Sequence, residues 1–192
     1  MTLTVALTAP MARGHSISPG VNEFYDGLLH PIVDFAGLAV LGTISVLAAF
    51  SGLKSVRACL GALALGVLGG CILAFLGVQL PVSASVLLLL AAVSAGILIA
   101  ADKCLPEVLA IALAAVLGIH FGIVSVTELA VDGRGGVFLL AYVLAVMIIA
   151  MVVSALALGA VQRGGWVRMA VRAAGAMAAA FGWMSLAWLA FR

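Results

Sequence analysis

The chain has 192 residues, 66% of them apolar and only 8% charged, with a formal net charge of +2. A soluble globular chain is typically about a quarter charged, so a domain surrounded by water is excluded. The small net charge, with no basic run or aromatic-interleaved patch, excludes nucleic acid as a partner.

Apolar runs of about 20 residues, the length a helix needs to cross a bilayer, recur along the chain. The fold class read from this is all-α: a polytopic membrane protein, a compact bundle of about six transmembrane helices. Residues 1–22 read as a segment outside the membrane and 23–192 as the six-helix domain. The opening "MTLTVALTAPMA" resembles the end of a signal peptide with small residues around Ala12. Cleavage there would leave Arg13-Gly14-His15 as the new terminus. A free amine with His15 third can offer four nitrogens in a plane, which suits Cu(II) or Ni(II).

Span one is expected over Pro31–Phe50 and span two over Ala58–Leu76, with Lys54 and Arg57 between them. Span three covers Val82–Ala101, and Asp102, Lys103 and Pro106 make a tight turn. Span four covers Glu107–Leu129, where Glu107 suits the positive end of a helix dipole. The Gly-rich stretch 132–136 is a loop. Span five covers Val137–Val161 and span six Trp166–Phe191. Dense Gly and Ala, as in "GALALGVLGG", allow close helix approach.

Six spans put both termini on one side, with Arg13, Arg134 and Arg192. The other side carries Lys54, Arg57, Lys103, Arg163, Arg168 and Arg172, and the more basic side is cytoplasmic. The expectation is a multi-pass protein of a bacterial inner membrane with both termini in the periplasm. Cys59 and Cys71 sit in apolar runs as small hydrophobes, and no cysteine has metal-type or redox spacing.

Ionisable groups at membrane depth cost a few kcal/mol and are candidates for function. His30 and Asp34 are four apart, so one helix would put both on one face, where imidazole and carboxylate can share a proton or a divalent metal. Pro31 would then occupy the first turn, where its missing N–H costs nothing. The alternative is that Asp34 caps locally and His30 sits at the interface. In span four His120 lies mid-span in "AAVLGIHFGIV". Gly118 and Gly122 beside it either leave room around the imidazole or let a neighbouring helix approach. Glu128 lies two turns further on the same face.

The stretch "GHSISPGVNEFYDGLLHP" resembles the start of the HupE/UreJ family, small nickel/cobalt permeases associated with hydrogenase and urease. Phe24, Gly27, His30 and Pro31 fit its Phe-x-x-Gly-x-x-His-Pro stretch, and His15 fits an upstream His. His120, Gly122 and Glu128 loosely resemble its second segment, in span four. Two features depart. The pattern x-x-Gly-x-Asp-His after His-Pro meets Asp34, Ala36 and Gly37 here, and a second His four residues after His120 is replaced by Val124.

The resemblance implies a permease-like protein for a divalent transition metal (Ni or Co, with Cu or Zn compatible), with His30, His120, Glu128 and His15 as the ligands it carries over; Asp34, four residues from His30, would replace part of the missing Asp-His pair. Glu23 and Asp26 would attract cations at the mouth. No G-x-x-x-x-G-K-[ST] motif supplies ATP binding, and no nucleophile sits in a catalytic motif, so no enzyme is expected. The alternative is a non-transporting accessory subunit of a larger membrane complex. It would keep the fold, lose most ligands and dock on other membrane subunits.

Overall fold

The structure, a computed structural model, describes residues 23–80, 82–132, 135–163 and 165–190. It leaves undescribed the side chains of residues 35, 82–85, 128, 130–132 and 188–190. The described residues form α1 (Glu23–Val33), α2 (Phe35–Phe50), α3 (Leu53–Phe75), α4 (Val82–Ala100), α5 (Glu107–Asp132), α6 (Gly136–Arg163) and α7 (Gly165–Ala190), with no strand among them. By length and composition α3, α5, α6 and α7 can cross a membrane, and the bent pair α1 and α2 adds a fifth span if it counts as one. The described apolar part of α4, Val86–Ala100, is shorter. A helical membrane bundle follows, with the six expected spans falling on α2 to α7.

The first span differs from its expectation. Helix α1 precedes α2, and the two are bent by 70° at Asp34. Pro31 lies in the last turn of α1, not the first turn of a span, and is buried. Having no N–H, it cannot bond the carbonyl four residues back. Asp34 then caps α2, its Oδ1 accepting from the Gly37 amide at 3.0 Å. A carboxylate that takes a backbone N–H competes with helix continuation and starts a new helix instead. His30 and Asp34 therefore do not share one straight helical face.

Turn chemistry sets the other boundaries. After α3, Gly77 adopts φ +87, and the Val78 amide donates to Leu73 O at 3.0 Å. This left-handed cap favours glycine because it has no Cβ. After α4, Asp102 takes the left-handed region at φ 58, and the Lys103 amide donates to Leu98 O at 2.9 Å.

Helix α2 touches every other helix. Its Val40, Leu41, Ile44, Leu47, Ala48 and Ala49 are buried, so it is the axis of the bundle. The most extensive pairing is α3 with α5. A Cβ at Gly66 or Gly70 would collide with the carbonyl of Ala115 or Ile119, and one at Gly118 or Gly122 with that of Leu63 or Val67. Reciprocal glycines four apart let the two backbones touch, the usual route to association where lipid removes the hydrophobic drive. Helices α4 and α7 pair similarly through Gly96, Gly175 and Gly182.

One end of the bundle gathers the α2–α3, α4–α5 and α6–α7 turns. Cys104 Sγ donates to Phe50 O at 3.4 Å, and Arg168 pairs with Asp102 at 2.9 Å. Arg172 Nε donates to Ala100 O at 2.9 Å. The basic residues of the three hairpins thus share an end. At the opposite end, Glu23 accepts from the Gly135 amide at 3.2 Å, fastening α1 to the start of α6.

Candidate metal-ion site

The break before α2 and the middle of α5 meet at one cavity. It holds about 140 Å³ and is lined by Asp34, Gly37, Val40, Leu88, His120 and Phe121, among others. The α2 cap puts Asp34 there with its carboxylate exposed. Gly37 is what makes room, since a Cβ there would strike the Asp34 carboxylate and approach the Phe121 ring at 3.1 Å.

His120 reaches the cavity from α5. Its flanking glycines face α3, so they serve helix approach, and the imidazole projects toward α2 and α4. It also borders an apolar cleft of about 270 Å³ with Leu87, Leu88 and Ala91 of α4. The imidazole is half-buried. Its Nδ1 is enclosed and has no hydrogen-bond partner among the described residues. Asp34 is within electrostatic range of it. A carboxylate and an imidazole are both ligands for divalent transition metals, and both can carry a proton.

His30 stands elsewhere. Its ring lies 5.8 Å from Phe138 and 5.6 Å from Tyr142, both on α6. Gly27 permits this, because a Cβ there would meet the Phe138 carbonyl. Tyr142 is in turn 6.4 Å from Phe121, and Phe121 is 6.1 Å from His120. The two histidines are thus joined by a continuous row of rings, with Phe121 and Tyr142 fully buried between them.

Of the five residues expected as ligands, the structure brings Asp34 and His120 together and sets His30 beyond the aromatic pair. Glu128 lies on α5, but its side chain is outside the described residues, as is His15. Among the described residues no three His, Cys, Asp or Glu side chains converge to hold a metal. Ser125 and Thr127 donate to carbonyls of their own helix, at 2.8 Å each. Sequence reasoning missed Gly37, Phe121 and Tyr142. The first was signalled by the Asp-x-x-Gly spacing of a capped helix start. The aromatics carried no signal beyond apolar character.

No curated protein and no solved structure matches the chain. The family model described as HupE / UreJ protein matches residues 3–185. With its apolar helical bundle and nearly its whole length matched, the chain belongs to the HupE/UreJ family.

Proposed function

We propose that this protein passes a divalent transition-metal ion, Ni or Co first and Cu or Zn next, through the cavity between α2 and α5. Asp34 and His120 are the groups that meet the ion there. The observation that carries this reading is their convergence on one cavity, from segments far apart in sequence, in a chain with few ionisable groups in its helices. One carboxylate and one imidazole leave coordination positions to water, which suits an ion in passage.

His30, at the end of α1, is the entry-side residue, and Glu128 and His15 are proposed as further donors on sequence grounds. Glu23 and Asp26 give the entrance its negative charge. The basic end of the bundle faces the cytoplasm, because short basic loops are retained there. The membrane is a bacterial inner membrane and the termini are periplasmic.

The test is metal content by elemental mass spectrometry after loading purified protein with Ni, Co, Cu or Zn. Asp34→Asn and His120→Ala are compared with wild type, alongside uptake into vesicles containing the protein. Loss of bound metal and of uptake in both variants supports the shared site. Wild type that neither binds nor transports any of the four ions overturns the transport reading. The accessory-subunit reading would then stand in its place, with co-purification to identify the complex.

A further inference from the structure

We propose that the cleft between α6 and α7 binds an anionic membrane phospholipid, with an acyl chain in the cleft and the phosphate at its basic end. The cleft holds about 390 Å³, within the range of small-molecule sites. Its walls include Gly42 and Val46 of α2, Leu156 and Ala160 of α6, and Val171 and Ala178 of α7. The one hydroxyl on the wall, Thr43, donates to Ala39 O at 2.6 Å and asks nothing of an occupant. At Gly42 a Cβ would find nothing within 4 Å, so the space is open there. An apolar slot without polar demands, open to the bilayer, fits a hydrocarbon chain and no polar ligand.

The charge at one end selects the headgroup. Arg163 lies three residues beyond Ala160 and Arg168 three before Val171, so each continues a cleft-lining face of its helix. Arg168 is engaged by Asp102, and Arg172 gives only its Nε to Ala100 O. Arg163 is exposed and makes no ion pair among the described residues. Trp166, 79% exposed in the first turn of α7, marks headgroup depth. Clustered arginines at the cytoplasmic ends of helices are the usual receptors for anionic lipid headgroups. A second copy of this chain in the same membrane orientation would bring its own basic end against this one, and like charges disfavour that occupant.

The experiment reconstitutes the protein into vesicles of phosphatidylcholine with a minor share of phosphatidylglycerol. It is then extracted in mild detergent, and the retained phospholipids are measured by mass spectrometry. Wild type is expected to retain phosphatidylglycerol several-fold above its share. Gly42→Phe, which fills the slot, and Arg163→Gln, which removes the free guanidinium, should each abolish the enrichment. Ile148→Phe, on a different exposed face of α6, should keep it. Ala160→Phe replaces Gly42→Phe if that variant does not fold. No enrichment in wild type overturns the proposal. So does enrichment that survives filling the slot, since surface charge alone would then explain it. A dimer by light scattering that Gly42→Phe dissolves would also overturn it, in favour of a second copy.

Discussion

The carboxylate of Asp34 is held by the amide of Gly37 at 3.0 Å while it faces the same cavity as His120. On the proposed function one side chain would have two roles, cap and ligand, and substitution can separate them. Asn also caps helices but carries no charge, so Asp34→Asn should change stability by only a few tenths of a kcal/mol. Asp34→Ala should cost about 1 kcal/mol, because the cap is lost. Both should lose metal binding. Thermal unfolding beside metal content checks this. Full metal binding in Asp34→Asn would show that only the cap matters.

His120 presents a different balance. Its enclosed Nδ1 has no partner among the described residues, and an unsatisfied buried polar atom costs about 1–3 kcal/mol. His120→Leu should therefore unfold at the same temperature as wild type or higher, while metal uptake disappears. A fall of several degrees in the unfolding midpoint would instead assign the imidazole a structural partner.

The α3–α5 contact predicts a contrast between glycines. Gly122→Ala forces a methyl onto the Val67 carbonyl and should destabilise the bundle by about 1–3 kcal/mol, the usual range for overpacking. Gly69→Ala meets nothing within 4 Å. It should be neutral or stabilising by up to about 1 kcal/mol, since Ala is the better helix former. Unfolding in detergent, variant against variant, reads the difference. Equal effects would mean that the two helices are not in backbone contact.

Asp102 combines an exposed ion pair with a left-handed backbone. An exposed pair contributes about 0–1 kcal/mol, so Asp102→Asn, which tolerates this backbone, should cost no more than that. Asp102→Val adds strain of about 1–2 kcal/mol at φ 58. Thermal unfolding should rank wild type, Asn and Val in that order. If Val matches Asn, the turn relaxes at no cost.

Most of the fold could be read from the sequence, since a bilayer allows little besides helices. Expected spans two to six begin and end within a few residues of α3 to α7. The largest shift is the start of α3, where Lys54 and Arg57 join the helix instead of preceding it. Long basic side chains can reach back to the headgroups from there.

The first span was misread because His30 and Asp34 fit one helical face, while the capping geometry of Asp34 and Gly37 prevails locally. Which glycines pair was also hidden. Gly66 and Gly118 are alike in sequence, and only the packing shows that they sit against one another. Asp34 and His120 were expected in one set with His30, and only the packing shows that these two border one cavity while His30 stands apart against α6.

The break at Asp34 has an electrostatic consequence for any cation in the cavity. The start of α2 carries a dipole end equivalent to roughly half a positive charge. Asp34 sits directly on it, with Gly37 donating to the carboxylate. On the proposed transport reading, a metal ion arriving between Asp34 and His120 would meet less than a full opposing charge. Its dwell time would be shortened and its escape barrier lowered. A fully desolvated, multi-carboxylate cage would trap the ion, whereas a partly neutralised one lets it leave, as a conduit requires and a store does not.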